Sequence, residues 1–296
     1  MMADIMDETT EFQDTATNLL TTQECDSLEV ELLLQAVFQV YGYDFRHYAK
    51  ESLLRRVKNL LVREKKQFIS ELTCEIIHDR YFFDRFLQEM SITVTAMFRD
   101  PKLFSRLKEF VISKLQTYPS INIWIAGCAT GEEAYSVAIF LQEAGLLERT
   151  RIYATDYNNH SLAIAEKGIY PLKDIREYSE NYLDAGGKNS FSDYYHQKYD
   201  GALFDSALRE KITFAHHNLM KDESFAQMHL VLCRNVMIYF DKQLKDRVLN
   251  VIDESLVQRG FLMLGDRESL VNSSISEKFE VMSPRSRIYQ KKLQLS

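Results

Sequence analysis

The amino-acid sequence predicts an α/β fold, with a mostly parallel β-sheet, that follows an all-helical region. From about residue 121 onward, short apolar runs typical of buried strands alternate with amphipathic helical patterns. The first apolar run leads directly into a glycine-bounded loop and then a helix, as in the first half of a nucleotide-binding α/β unit. Between residues 27 and 91, by contrast, apolar residues recur at helical spacing.

Composition narrows the class of protein. The chain has 296 residues, of which 46% are hydrophobic and 27% charged, and its net charge is −7. These values are ordinary for a globular protein and argue against general nucleic-acid binding. The sequence shows no apolar run long enough to span a membrane and no secretory signal, and its four cysteines form no CxxC pair. We therefore expect a cytoplasmic protein with free thiols, no membrane insertion and no metal.

Four regions are distinguished along the chain. Residues 1–26 contain seven acidic residues and no lysine or arginine, which predicts a flexible acidic tail. Residues 27–91 predict a helical domain, and residues 92–120 predict a linker with a short helix over Lys102–Leu115. Residues 121–296 form the predicted α/β domain.

Apolar spacing places the first two helices of the helical domain. The first is defined by Leu28, Leu32, Leu33 and Val37, and the second by Leu53, Leu54, Val57, Leu60, Leu61 and Phe68. In the linker, Pro101 fits the first turn of the short helix, and Asp100 is the candidate N-cap.

The second predicted helix lies in a locally basic stretch, residues 46–66. A solvated helix face is one interpretation, because most charge runs are of that kind. The other is a docking face for an acidic protein partner, since the rest of the chain is acidic and this stretch has only two carboxylates, Glu51 and Glu64. Its cationic residues are Arg46, Lys50, Arg55, Arg56, Lys58, Arg63, Lys65 and Lys66.

The α/β domain contains strand-like and helix-like segments in alternation, up to a predicted C-terminal hairpin. The predicted strands are Ile121–Ile125, Arg151–Asp156, Ile212–Ala215, His229–Cys233 and Gly260–Leu264, with hairpin arms Phe279–Met282 and Arg287–Lys291. The predicted helices are Glu132–Ala144, Asn158–Lys167 and Asp241–Gln258. Residues 168–210 break the alternation, and we expect an inserted subdomain there, because unstructured connections of that length are uncommon.

The loop after the first strand indicates the kind of ligand. Gly127 and Gly131 bracket it, and Glu132 and Glu133 open the following helix. The loop matches neither GxGxxG nor the P-loop pattern, and two carboxylates at a helix N-terminus work against a pyrophosphate. S-adenosyl-L-methionine carries a sulfonium and an ammonium and no phosphate, so it fits such a site. The alternative is that both carboxylates only cap the helix, and the loop alone does not decide between the two.

Four residues follow predicted strands at their carboxyl ends, where ligands bind in an open α/β sheet. They are Gly127, Asp156, Asn218 and Asn235. An acid in the position of Asp156 can accept both hydroxyls of a ribose. These positions also have structural alternatives: Asp156 as a helix cap, Asn218 as a turn residue, and the neighbouring Arg234 as the ion-pair partner of an acid in the sheet. Convergence of the four on one sheet edge favours a binding site.

Six motifs make the chain resemble the CheR-type methyltransferases, which use S-adenosyl-L-methionine to methylate glutamate carboxylates of bacterial chemoreceptors. The resemblance covers roughly residues 27–293. It implies a Rossmann-like S-adenosylmethionine methyltransferase domain with a small inserted antiparallel β-subdomain, preceded by an all-α N-terminal domain. The motifs are Ile92–Arg99, Ala126–Ser136, Ala154–Asp156, Gly168–Tyr170, His217–Leu219 and Cys233–Asp241.

The resemblance also implies a set of site residues. Arg99 and Tyr239 are expected to flank the reacting centre as catalytic residues. The basic stretch 46–66 is expected to lie against an acidic helical region of a chemoreceptor or other signalling protein. The expected cofactor-binding residues are Thr93, Thr95, Arg99, Ala126, Gly127, Glu133, Asp156, Asn218, Leu219, Asn235 and Val236.

Three places depart from the family pattern. Thr93 stands where the family often has Asn, which weakens one expected contact with the cofactor. Ala134 stands where the family often has Pro, and alanine is equally compatible with a first helical turn. Residues 181–195 do not resemble the usual receptor-gripping subdomain, which leaves open a methylated protein from a different two-component system.

The functional hypothesis is methyl transfer from S-adenosyl-L-methionine to glutamate carboxylates, which forms methyl esters. A glutamate acceptor is already ionised at neutral pH, so the reaction needs no general base. The alternative is a non-catalytic adaptor that binds the cofactor within a two-component system. The acidity of the chain disfavours RNA as the methyl acceptor, and Glu132 and Glu133 disfavour NAD-dependent redox chemistry.

Overall fold

The computed structural model describes residues 20–91, 95–198, 200–282 and 287–293. Most of the predicted acidic tail lies outside these residues, as does Thr93. The N-terminal part is helical, as predicted. Its helices are α1 (Thr22–Tyr41), α2 (Lys50–Arg63), α3 (Ile69–His78) and α4 (Arg80–Met90).

The four helices pack around a core in which aromatic rings are prominent. Phe45, Phe82, Phe83 and Phe86 are all buried there. The ring of Phe86 meets that of Phe45 edge-on and that of Phe83 stacked. Aliphatic side chains from α1 to α4 fill the space between the rings. Burial of this many large apolar groups is the main source of stability for a small helical unit.

Three predicted core positions of the helical part are exposed instead. Leu28 and Leu32 are 47% and 58% exposed, because α1 buries the face that carries Val30 and Leu34, about 200° away around the helix. Phe68 does not belong to the second helix, since α2 ends five residues earlier and Phe68 immediately precedes α3.

The linker helix is interrupted by a change of pitch. It begins as α5 (Pro101–Leu107), continues as a π-helix over Lys108–Ile112 and ends as α6 (Ser113–Leu115). Pro101 lies in the first turn, as predicted. Asp100 is the N-cap residue, as predicted, but it has a left-handed φ of 57° and its side chain makes no capping hydrogen bond. Its carboxylate instead accepts a hydrogen bond from Arg234.

The α/β domain contains two sheets. Its strands are β1 (Ile121–Ala126), β2 (Thr150–Asp156), β3 (Ile169–Pro171), β4 (Tyr195–Lys198), β5 (Gly201–Phe204), β6 (Ile212–His216), β7 (Met228–Cys233), β8 (Leu256–Leu264), β9 (Phe279–Val281) and β10 (Ile288–Lys291). Its helices are α7 (Glu132–Glu143), α8 (Asn159–Lys167), α9 (Leu172–Asp184), α10 (Ser206–Arg209) and α11 (Lys242–Ser255).

The larger sheet has the order β6–β2–β1–β7–β8–β10–β9. The pairs from β6 to β8 are parallel, and β10 runs antiparallel to both of its neighbours. The chain starts at β1, moves outward to β6 on one side, and then crosses to β7 on the other. This reversal of winding direction leaves a crevice at the carboxyl ends of β1 and β7, the usual binding position in such sheets.

Alternate residues of the strands enter cores on opposite faces of the larger sheet. Ile121, Ile123 and Ile125 of β1 pack with α5, α7 and the inserted segment. Trp124 and Ala126 pack on the other face with α11. The sheet is therefore covered on both faces, which confirms the predicted α/β class.

The segment between α8 and β6 forms a small antiparallel sheet of its own, in the order β3–β5–β4. This confirms the predicted antiparallel inserted subdomain. Helix α9, between β3 and β4, was not identified in the sequence. Its Tyr178 and Tyr182 are buried against the larger domain.

The predicted helix over Asp241–Gln258 is shorter in the structure. The carboxylate of Asp241 accepts the backbone N–H of Leu244 and caps α11, which ends where β8 begins at Leu256. The arms of the predicted C-terminal hairpin do pair with each other as β9 and β10.

A buried carboxylate joins α11 to the C-terminal strands. Asp253 is 5% exposed. Its oxygens lie 2.6 Å from Lys278 Nζ and 3.0 Å from Lys291 Nζ. Lys291 is buried too, and it also donates to the carbonyl oxygen of Leu256 at 3.2 Å. The charges of Asp253 and Lys291 would each be costly in the interior without the other.

We expect Asp253→Ala to lower the free energy of unfolding by about 3–5 kcal/mol, because it leaves the buried Lys291 ammonium without its carboxylate. Glu254→Ala is the matched control, since Glu254 is the exposed neighbour on the same helix. The control should change stability by less than about 0.5 kcal/mol. Urea unfolding followed by circular dichroism measures both variants, and equal losses would contradict the role assigned to Asp253.

Candidate functional site

A cleft of about 1050 Å³, counted with its open mouth, lies at the carboxyl ends of β1, β2 and β7. The loops that follow these strands form its floor, and Tyr48 and Met90 of the helical part form one wall. The structure brings together most of the residues predicted from the sequence. Those that line the cleft are Thr95, Arg99, Gly127, Glu133, Asp156, Asn218, Leu219, Asn235, Val236 and Tyr239.

Two predicted cofactor residues are not placed at the cleft. Ala126 is buried in the core beside α11 and does not line the cleft wall. Thr93 lies outside the described residues. The sequence also missed several lining residues, because no local pattern distinguishes them from core residues. Among these are Tyr48, Met90, Cys128, Tyr157 and His217.

Gly127 allows two loops to approach each other closely. Its φ is 75°, a left-handed value that glycine tolerates. A Cβ atom built on Gly127 would lie 2.5 Å from Cγ2 of Val236. The backbone N–H groups of Gly127 and Cys128 both donate to the carbonyl oxygen of Thr155, at 2.8 and 2.9 Å. The loop after β1 is therefore fixed between the end of β2 and the loop after β7.

Asp156 ends β2 at the floor of the cleft. Its carboxylate accepts the backbone N–H groups of Ala129 and Asn158, both at 2.9 Å. Burial raises the pKa of Asp156, and these hydrogen bonds oppose the shift without cancelling it. The cap of α8 is Asn158, whose side chain accepts from two backbone N–H groups. Because Asn158 has that role, Asp156 keeps carboxylate lone pairs for a ligand.

The two glutamates after the glycine loop have different surroundings. Glu132 is buried and accepts the hydroxyl of Thr130 at 2.7 Å, and burial raises its pKa. It does not line the cleft. Glu133 does line it and forms an ion pair with Arg234. Of the two, Glu133 is the one that can face a cationic ligand.

Arg234 connects three segments around the cleft. Its side chain is 3% exposed and its ion pairs are with Glu133 and, at 2.9 Å, Asp100. It also donates to the carbonyl oxygen of Arg99 at 2.9 Å. The alternative considered for Arg234, an ion pair with an acid in the sheet, is thus only partly correct: Arg234 does pair with acids, but Asp100 precedes α5 and Glu133 lies in the first turn of α7. Its effect is to hold the backbone of Arg99 at the cleft.

The loop that carries Asn235 and Val236 is organised by a residue that the sequence did not single out. Glu268 accepts the backbone N–H groups of Gly265, Asn235, Val236 and Met237, at 2.8 to 3.0 Å. Burial raises its pKa, and these four hydrogen bonds counteract only part of that shift. Asn235 has a left-handed φ of 59°. Such an unfavourable backbone conformation persists only where surrounding contacts enforce it.

Asn218 combines both interpretations offered for it. Its side-chain oxygen accepts the N–H of Met220 at 3.0 Å, and its own N–H donates to Asp222 at 2.7 Å, so it does form a turn. That turn places Asn218 and Leu219 against the cleft. Leu219 adds apolar surface to the cleft, as is usual in sites that bind small molecules.

The sheet order, the glycine loop and the acid at the end of β2 define a Rossmann-like methyltransferase that binds S-adenosyl-L-methionine. Glu133 and Asp156 suit its positive charge and ribose, Leu219 and Val236 supply apolar surface, and Gly127 permits close backbone approach. The chain belongs to the CheR methyltransferase family, because residues 93–288 match the family model described as CheR methyltransferase, SAM binding domain.

Similar proteins of known sequence agree with this assignment. The chain is 47% identical over 272 residues to Cher3 of Pseudomonas putida KT2440, which covers 92% of this chain and 100% of that protein. It is 29% identical over 268 residues to chemotaxis protein methyltransferase 2 of Pseudomonas aeruginosa, covering 79% and 92% of the two chains. Chemotaxis protein methyltransferase of Listeria monocytogenes is 27% identical over 233 residues, covering 78% and 86%.

Solved structures resemble the chain more distantly. The glycopeptide N-methyltransferase MtfA with sinefungin is 11% identical, with a TM-score of 0.35 over 58% of this chain and 50% of that one. A SAM-dependent methyltransferase from Geobacter sulfurreducens with S-adenosyl-L-homocysteine is 12% identical, with a TM-score of 0.33 over 59% and 53%. The fold assignment rests on the strand order described above.

Within the described ranges, no helix is both long and apolar enough to cross a membrane. The same part of the chain holds no group of three or more His, Cys, Asp or Glu side chains that could bind a metal ion.

We expect Gly127→Ala to weaken binding of S-adenosyl-L-methionine at least about tenfold, because the new methyl group must displace Val236 and its loop. Gly145→Ala is the matched control: Gly145 also has a positive φ, of 69°, but open space around its Cβ position. Isothermal titration calorimetry measures both. Val236→Ala in the Gly127→Ala background should recover part of the affinity, and a loss equal to that of the control would refute the steric argument.

Asp156→Asn should weaken cofactor binding by about 10- to 100-fold, since it removes a charged acceptor worth roughly 1.5–3 kcal/mol. Because burial raises the pKa of Asp156, protonation begins at a higher pH than for an ordinary aspartate. The wild-type affinity should therefore begin to fall, as the pH is lowered, before ordinary aspartates protonate, and it should fall more steeply than the affinity of the variant. Asp184→Asn, on the exposed end of α9, is the control. Parallel pH profiles for wild type and Asp156→Asn would contradict this role.

Proposed function

We propose that the chain transfers the methyl group of S-adenosyl-L-methionine to glutamate side chains of a chemoreceptor or a related two-component signalling protein in the cytoplasm. The main support for this proposal is that Arg99 and Tyr239 line the same cleft as the acids Glu133 and Asp156. A guanidinium matches an incoming carboxylate, and the acids match a cationic donor. The similarity to chemotaxis protein methyltransferases of Pseudomonas aeruginosa and Listeria monocytogenes supports a role in chemotaxis.

In the proposed reaction, an oxygen of the ionised acceptor glutamate bonds to the methyl carbon while the carbon–sulfur bond breaks. The products are a methyl ester and a neutral thioether, and no proton is transferred. Carboxylate and sulfonium charges cancel as the new bond forms, so a cleft with little water favours the step. Arg99 orients the acceptor carboxylate, and Tyr239 closes the cleft around it. Such positioning can supply several kcal/mol of the barrier reduction.

The helical part supports an acidic acceptor at the mouth of the cleft. Arg56 of α2 donates to the carbonyl oxygen of Glu89 at 3.0 Å. Its guanidinium carbon lies 5.9 Å from the centre of the Tyr239 ring. A carboxylate entering beside Tyr239 therefore meets positive charge from α2 as well as from Arg99.

The rest of the basic stretch 46–66 is largely neutralised within the helical part. The stretch itself contains only two carboxylates, but neighbouring helices supply further carboxylates that pair with its cations. We therefore restrict the proposed docking face for an acidic helical partner to Arg55, Arg56 and Lys65, which form no ion pair with any described residue. The compensated pairs are Arg46–Asp44, Lys50–Glu31, Lys58–Asp26, Arg63–Glu89 and Lys66–Glu75.

Methyl-tritiated S-adenosyl-L-methionine, incubated with the protein and with membrane or soluble fractions from a host that lacks this gene, tests the proposal. A glutamate methyl ester releases its label as methanol in mild base. Arg99→Ala should lower this base-labile transfer at least about 100-fold, since it removes the charged partner of the acceptor. Calorimetric affinity for the cofactor should fall much less than the transfer rate.

Arg106→Ala is the control, because Arg106 is exposed on α5 and pairs with Glu109. It should retain full transfer. Unchanged transfer in Arg99→Ala would refute the assigned role of Arg99. Cofactor binding without transfer to either fraction is the result expected of a non-catalytic adaptor. Base-stable label in RNA or a small molecule would indicate a different acceptor.

A further inference from the structure

We propose that Asn181 and Tyr182, in the inserted subdomain, are positioning residues that hold Arg99 at the reacting centre. This inference rests on the proposed role of Arg99. It gives a function to residues 181–195, the segment that departs most from the family pattern. The segment would then act as a brace for the catalytic arginine, independently of any contact with a receptor.

The backbone around Arg99 needs such a brace. Phe98 and Asp100, the residues on either side, both have left-handed φ values, of 51° and 57°. Each non-glycine residue in that region costs on the order of 1 kcal/mol or more. Two such residues, one on each side of Arg99, keep these conformations only if neighbouring contacts fix them. Arg234 fixes the Asp100 side, through its hydrogen bonds to Asp100 and to the carbonyl oxygen of Arg99.

The inserted subdomain fixes the Phe98 side. The side-chain amide of Asn181 donates to the carbonyl oxygen of Met97 at 3.1 Å. The ring of Phe98 is buried, with its centre 5.2 Å from that of Tyr182 and 6.3 Å from that of Phe191. The α/β domain itself contributes one more contact: the backbone N–H of Phe98 donates to the hydroxyl of Ser136 in α7, at 2.8 Å. Two of the aromatic contacts and one hydrogen bond thus come from outside the methyltransferase core.

Tyr182 is itself locked in place. Its hydroxyl donates to Glu143 of α7, and the backbone N–H of Asn189 donates to that hydroxyl at 2.9 Å. Burial acts to raise the pKa of Glu143, but its hydrogen bonds, that from Tyr182 first, outweigh burial and lower it. The ring also lies on Gly187, where a Cβ atom would be 2.2 Å from Cζ of Tyr182. A glycine is therefore required beneath the ring.

The chain of contacts runs from α7 through Glu143 and Tyr182 to Phe98, and from α9 through Asn181 to Met97. Both branches end on the residues just before Arg99. Loosening either branch should let Phe98 return to an ordinary backbone conformation, and the arginine would move with it. Movement of about 1 Å at a catalytic group can lower the rate by about two orders of magnitude.

Hydrogen–deuterium exchange measures the brace without any methyl acceptor. In Asn181→Asp, which keeps the side-chain shape but cannot donate to Met97, peptides covering residues 95–105 should exchange at least about tenfold faster. Gly187→Ala should also speed exchange of these peptides, because the added methyl group displaces the ring of Tyr182 from Phe98. The controls are Glu180→Gln, an exposed neighbour on α9, and Gly186→Ala. At Gly186 the φ is 84° and the Cβ position meets nothing within 4 Å, so this control measures backbone strain beside Gly187 without contact with the Tyr182 ring.

The tritium-transfer assay then measures the consequence. Asn181→Asp should lower transfer at saturating cofactor about tenfold or more, with less than about a threefold change in cofactor affinity. In an Arg99→Ala background the same change should have no further effect, because the residue that it positions is absent. A purely structural role would instead lower the melting temperature and add to the loss caused by Arg99→Ala.

The results separate the two proposals. Unchanged exchange of residues 95–105 in both Asn181→Asp and Gly187→Ala would overturn the brace, whatever the transfer assay shows. Faster exchange with full transfer would overturn the link from the brace to catalysis. If no fraction of the host accepts a methyl group, the proposed function fails, and the exchange data still decide whether Asn181 and Tyr182 hold Arg99.

Discussion

The buried guanidinium of Arg234 is the interaction on which the cleft depends. It follows β7 and makes ion pairs with Glu133 at the start of α7 and with Asp100 in the linker, and it holds the carbonyl oxygen of Arg99. A buried cation is stable only with its anionic partners in place. The glycine loop, the linker and the loop after β7 must therefore assemble together, and the cofactor site forms as a unit or not at all.

Buried carboxylates serve two purposes in this domain. The carboxylate of Glu268 accepts hydrogen bonds from four backbone N–H groups and so shapes the loop that holds Asn235 and Val236. Asp156 accepts two N–H groups and lies on the cleft floor. Burial raises the pKa of both. The difference is geometric: one carboxylate is enclosed by its own chain, and the other retains acceptor capacity where a ligand can reach it.

The cleft is enclosed by elements that do not belong to the core sheet. The helical part brings Tyr48 and Arg56 to one side, beside Tyr239. The inserted subdomain packs Tyr182 against the residues that precede Arg99. The loops at the carboxyl ends of the sheet thus form the floor of the cleft, whereas the added elements border it. This division agrees with the general finding that function resides in sites built on a fold more than in the fold itself.

The sequence by itself determined the main strands and helices of the α/β domain, and it singled out most of the predicted site residues that line the cleft, such as Gly127 and Asp156. These features depend on local periodicity and on positions at strand ends, which a linear sequence displays. Only the tertiary structure decided the partners of Arg234 and Glu268, the neutralisation of the basic stretch 46–66 by neighbouring helices, and the packing around Arg99. Those contacts join residues far apart in the chain, so their geometry follows from how the elements pack and leaves no periodic trace in the sequence.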